Sequence, residues 1–135
     1  MSAELLGSVY NCGMPIVLNH TIVPSHDKEH GAQFFARMFG LKYNGPVGHF
    51  AQVKVNNDLA FDWDTRERFE SHNYAFVVND QEFDQIFDRI KADAVRYGSG
   101  PGSSTDGAIN HRRGGRGLYF ADPDGHLLEI MTVPE

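Results

Sequence analysis

The sequence predicts an α+β fold made of two successive βαβββ modules, and three observations carry that expectation. Short β-branched and aromatic runs alternate with turn residues. Two segments place apolar residues at helical spacing. The order of one strand, one helix and three strands occurs twice, over about 15–64 and 72–133. The halves share pattern more than identity, as an old duplication would leave them.

In the first module "MPIVLNHTIV", 14–23, is β-branched and apolar and reads as a buried strand that Pro24-Ser25 stops. Ser25 can cap the next segment, and Asp27 and Glu29 suit a helix N-terminus. That helix is expected over about 26–39, with Ala32, Phe35, Met38 and Phe39 on one face. Gly40 is a natural stop. Strands follow at "LKYN" from 41, "HFAQVKV" from 49 and "LAFDWD" from 59, the last two joined by a turn at Asn56-Asn57-Asp58.

In the second module "NYAFVV", 73–78, is a strand. Asn79 and Glu82 form a capping box for a helix ending near Val95, and Phe83, Ile86, Phe87 and Ile90 give its apolar face. A short strand is expected near Arg96-Tyr97. The stretch from Gly98 to Gly117 is rich in Gly, Ser and Arg and cannot pack as a core element; a loop of that length has a function or is disordered. "YFADPDGHLLEI", 119–130, is a hairpin, because the Pro and Gly of its DPDG centre suit a tight turn. Its second strand, about 126–133, puts Leu127, Glu129 and Met131 on one face and Leu128, Ile130 and Thr132 on the other. A carboxylate among apolar neighbours needs a cation, a metal or hydrogen-bond donors.

Length suits one domain over 1–135, with 1–14 as a tail. The formal charge of −6 argues against nucleic acid and anionic membranes as partners. No apolar run reaches a membrane span, and the N-terminus lacks the basic and apolar regions of a signal peptide. Cys12 is the single cysteine, so no internal disulfide can form; a reducing compartment and the cytoplasm are expected.

Polar residues on the strands carry the chemistry. His20 lies on the first strand of module one and Asp62 on its last. His72 or Asn73 opens module two, and Glu129 lies on its last strand. If the modules pair about a pseudo-two-fold axis, these side chains converge, and imidazole with carboxylate suits a divalent transition metal. The same pattern also fits a hydrogen-bonded core histidine and a carboxylate paired with Arg112, Arg113 or Arg116.

"LNHTIV" before a helix, "YAFVV" before "DQEFDQIFDRI", and "GRGLYFADPDGHLLEI" together resemble the vicinal oxygen chelate superfamily. This is the group of glyoxalase I, bleomycin- and fosfomycin-resistance proteins and extradiol dioxygenases. The resemblance covers nearly the whole chain after about residue 15. It implies paired βαβββ modules forming a curved, partly open barrel. It also implies that His20 and Glu129 are metal ligands, Glu129 lying at the catalytic centre. Members often read His-x-Ala-Phe where module two begins, but position 73 is Asn and the histidine stands at 72. A one-residue slip turns a side chain to the other face. Either a bulge brings His72 round, or the Asn73 amide oxygen serves, or the third ligand is lost; His72 is the expectation. Asp62 can add a fourth ligand.

The divalent ion could equally be zinc, iron, manganese, nickel or magnesium. Asn73, Asp62, His111, Arg113, Arg116 and Tyr119 are candidate substrate-binding residues, the arginines for an anionic group. The resemblance implies a homodimeric, metal-dependent lyase, isomerase, transferase or dioxygenase. It would act on a small oxygen-bearing metabolite through a metal-stabilised enolate or oxyanion. The alternative is a metal-free protein that binds a drug or metabolite, as bleomycin-resistance members do.

Overall fold

The computed structural model describes residues 15–135; the predicted tail 1–14, with Cys12, lies outside them. Two four-stranded mixed sheets and two helices make the fold, and the sheets do not close. The first sheet holds β1 (His20–Ser25), β2 (Tyr43–Val47), β3 (Phe50–Lys54) and β4 (Ala60–Thr65), in the order β1-β4-β3-β2, with α1 (Lys28–Phe39) after β1. The second holds β5 (Asn73–Val77), β6 (Tyr97–Gly98), β7 (Gly117–Ala121) and β8 (Leu127–Met131), in the order β5-β8-β7-β6, with α2 (Asp80–Ala92) after β5. In both sheets the outermost pair, β1 with β4 and β5 with β8, is parallel and the others are antiparallel.

The first strand differs from its sequence reading. It begins at His20, and the apolar residues before it are exposed, Ile16 fully at 103%. The ladder with β4 starts at His20 opposite Ala60, so nothing within the sheet covers the preceding segment. The strand also runs through Pro24 instead of stopping there. It is an edge strand with β4 as its sole neighbour, where a residue without an N–H is tolerated. Helix α1 is capped by Asp27, whose carboxylate accepts the His30 N–H, while the Ser25 hydroxyl accepts the Asp27 N–H. Gly40 ends it at φ 68. The capping box of Asn79 and Glu82 opens α2, and the helix stops at Ala92, where Ala94 turns to φ 55.

One hydrophobic core lies between the sheets and α1. Phe35 packs on Phe61, Trp63 and Phe76, and Phe34 and Phe39 reach Phe120 of the second sheet. Each fully buried ring of this kind stabilises the fold by about 1.5–3 kcal/mol. The modules are also stapled by His126, which is fully buried: its Nε2 lies 2.7 Å from the Pro24 carbonyl, and its Nδ1 accepts the His72 N–H. With one face of each sheet turned to this core, the opposite faces are left open.

Candidate active site

Strand register places the polar residues. His20 stands opposite Ala60 and Asn73 opposite Leu127; Asp62 and Glu129 are each two residues further on. Module symmetry therefore relates His20 to Asn73 and Asp62 to Glu129. All four side chains belong to the open faces, because the alternate residues Val23, Phe61, Leu128 and Ile130 are in the core.

On the first open face, the Asn19 carboxamide oxygen lies 2.9 Å from His20 Nδ1. That partner holds Nδ1 as the donor and leaves Nε2 with its lone pair. Asp62 is buried to 7% exposure, and its Oδ1 accepts from Gln52, whose own amide oxygen accepts from Asn44. His20, Gln52 and Asp62, together with Asn19 and Lys54, border a hollow of about 310 Å³.

On the second face, Glu129 stands opposite Tyr119 across the β7–β8 ladder, its side chain 15% exposed. Burial pushes its carboxyl above the usual range, against the opposing effects of Tyr119 and Arg112. Arg112 donates from Nη1 to the Tyr119 hydroxyl at 2.6 Å, and the same nitrogen is 3.9 Å from Glu129 Oε2. Burial also raises the Tyr119 phenol.

The remaining candidates lie elsewhere. His72 precedes β5 and belongs to the side opposite Glu129: its Nδ1 is 3.1 Å from the Tyr74 hydroxyl, and its ring centroid is 5.3 Å from that of His126. The β5–β8 register runs without a shift, so no bulge turns His72 round. His72 does share a groove of about 520 Å³ with His20, Arg68 and Phe69, between β1 and the segment that leads into β5. Beside it, burial pushes the Tyr74 phenol up to about 12, with Asp122 adding to the effect. Arg116 is bound to Asp84 at 2.7 Å and Asp80 at 3.0 Å on α2, and lies over Phe83 of that helix. Arg113 takes φ 55 and makes no ion pair among the described residues. His111 Nδ1 is 3.2 Å from the Gly115 carbonyl, within its own loop. Three neighbouring arginines look alike in a sequence; only the loop's conformation selects Arg112.

Among the described residues of one chain, no three His, Cys, Asp or Glu side chains gather to hold a metal ion. His20 and Glu129 instead occupy corresponding regions of two separate open faces. The donor set of imidazole nitrogen, carboxylate and amide oxygen suits a divalent ion only where two such faces meet.

Duplicated βαβββ sheets with histidine and carboxylate on their open faces define a paired-module α+β scaffold. The chain belongs to the glyoxalase/bleomycin resistance protein/dioxygenase superfamily, whose family model matches residues 17–130. It is 27% identical over 121 residues to the metallothiol transferase FosB of Lysinibacillus sphaericus strain C3-41, covering 85% of this chain and 81% of that protein. The solved structure of the oxidase ChaP-H2 is 43% identical with a TM-score of 0.84, covering 90% of this chain and 96% of that one. The fosfomycin resistance protein FosX from Mesorhizobium loti, 19% identical with a TM-score of 0.67, covers 90% of this chain and 95% of that one and shares the fold.

Proposed function

We propose that this protein is a metal-dependent enzyme that oxidises a small oxygen-bearing organic molecule, with dioxygen as the electron acceptor. The observation that carries the reading is His20, its Nδ1 engaged by Asn19 and its Nε2 left as a lone-pair donor on an open face. A metal-ligating histidine commonly donates its other ring N–H in this way. His20, Glu129 and the Asn73 amide oxygen would hold the ion, with His20 supplied by one protomer of a homodimer and Glu129 by its partner. Oxidation is preferred among the family's reactions because the oxidase ChaP-H2 is 43% identical over most of the chain.

When bound, the divalent ion supplies Lewis-acid stabilisation of a substrate enolate or oxyanion. The chain's own groups bind and orient. Gln52 and Lys54 present donors to the substrate's oxygens from the hollow beside His20. Gln52 also holds the Asp62 carboxylate in place. Tyr119, held by Arg112, presents a hydroxyl next to Glu129. Removing one preorganised donor to a developing oxyanion costs roughly 3–4 kcal/mol of catalysis.

A second reading, a metal-free binding protein, is favoured by one feature. Asn73, a weaker ligand than histidine, stands where symmetry relates it to His20. Metal analysis of dialysed protein separates the two. One ion per His20–Glu129 pair is expected, lost in His20→Ala and in Glu129→Ala. A wild-type protein that takes up no divalent ion, and binds its small molecule as well in both variants, would overturn the enzyme reading.

A further inference from the structure

The loop before β7 is built around one guanidinium. Arg112 Nη2 donates to the Ser99 carbonyl at 3.3 Å, and Asn110 donates to the same oxygen at 3.1 Å. Ser99 is fixed in turn by Asp106, which accepts its N–H and its hydroxyl. Gly98 admits no side chain, since a Cβ there would collide with the Ser103 carbonyl. So held, Arg112 has its cation over the Tyr119 ring, 5.4 Å from the centroid.

Its counter-ions are poorly engaged. Glu129 Oε2 is 3.9 Å and Glu135 Oε2 3.8 Å from Nη1, beyond hydrogen-bond distance. Arg116 shows how a structural arginine is closed in this same chain, with carboxylate oxygens at 2.7 and 3.0 Å. Arg112 keeps free donors, side by side with the carboxylate proposed to bind the ion. Among the described residues the guanidinium's carboxylate neighbours are Glu129 and the half-exposed Glu135, and neither closes it by a hydrogen bond in the free protein. The exposed pair with Glu135 contributes little to stability and is readily displaced.

We propose that Arg112 forms an oxyanion subsite beside Glu129 that takes a carboxylate or phenolate oxygen of the substrate, and that Glu135 covers it in the free protein. The planar guanidinium suits a bidentate organic oxyanion. The Tyr119 hydroxyl accepts from Arg112 and turns its own proton towards Glu129, beside the place the incoming group would take. The inference deepens the enzyme reading and rests on it only in assigning the bound group to the substrate.

Benzoate, titrated into the protein without metal, tests the subsite while leaving the metal question apart. Binding is followed by calorimetry, with retained fold checked by circular dichroism. Arg112→Gln should weaken benzoate about tenfold or more, the loss of charge-assisted hydrogen bonds. Glu135→Gln should tighten it, and Arg37→Gln, on α1, should leave it unchanged. Absence of benzoate binding in the wild type, equal binding by Arg112→Gln, or no tightening in Glu135→Gln would each overturn the subsite. Ion uptake measured on the same samples keeps the failures distinct. Arg112-dependent benzoate binding without any ion uptake sinks the metal reading alone. Ion uptake with Arg112-independent benzoate sinks the subsite alone.

Discussion

Asn19 acts on His20 at the scale of a single hydrogen bond. Its carboxamide oxygen at 2.9 Å engages one ring nitrogen and so decides which one can meet an ion. Losing such an outer partner typically lowers metal affinity about 10–100-fold. Asn19→Ala is therefore expected to weaken ion binding within that range while leaving thermal stability unchanged, because Asn19 is exposed. A competition titration with a chromogenic chelator reads the affinity; an unaltered affinity would mean that Asn19 does not orient the ring. His20 and Glu129 stand out in the sequence as candidate ligands because each interrupts an apolar strand. Arg112 was not: its neighbours carry the same charge, and Arg113 at φ 55 breaks the alternation that would assign a face to each.

Elements show which local signals are sufficient. The reciprocal bonds of Asn79 and Glu82, at 2.7 and 2.9 Å, were readable from a three-residue spacing, because the capping box needs no distant partner. Asn79→Ala should cost about 1 kcal/mol, with the urea midpoint lowered and its slope kept. A midpoint equal to the wild type's would show that the cap is replaced by solvent. The strands followed their periodicity, but the start of β1 did not. Val17 and Leu18 are as apolar as a buried strand requires, yet they are exposed, because burial depends on a neighbour that local sequence does not specify. Pro24 misled in the same way: whether a proline ends a strand depends on whether that strand lies at an edge. The loop from Gly98 to Gly117 is ordered by Asp106 and Asn110, contacts invisible to composition.

At the scale of the molecule, the proposed ligand set is divided between two open faces, His20 on one and Asn73 with Glu129 on the other. Ile22, two residues along β1 from His20, and Val77, at the end of β5, are exposed at 37% and 59% with no cover among the described residues. If the face bearing His20 meets the face bearing Glu129 of a second copy, two-fold symmetry makes two equivalent sites. Mixing variants decides this. Glu129→Gln retains His20, and His20→Ala retains Glu129. In a hybrid dimer one site then has both native ligands and the other has neither. Random exchange makes half of the dimers hybrid, so the mixture should recover about one quarter of the wild-type ion content, where each variant alone holds none. Ligands drawn from one chain would give no recovery, since each chain would lack a member of its own pair. Ion content after mild denaturation and refolding of the mixture, with light scattering to verify dimers, provides the reading. Zero recovery from well-formed hybrid dimers would place His20 and Glu129 in sites that do not span the two chains.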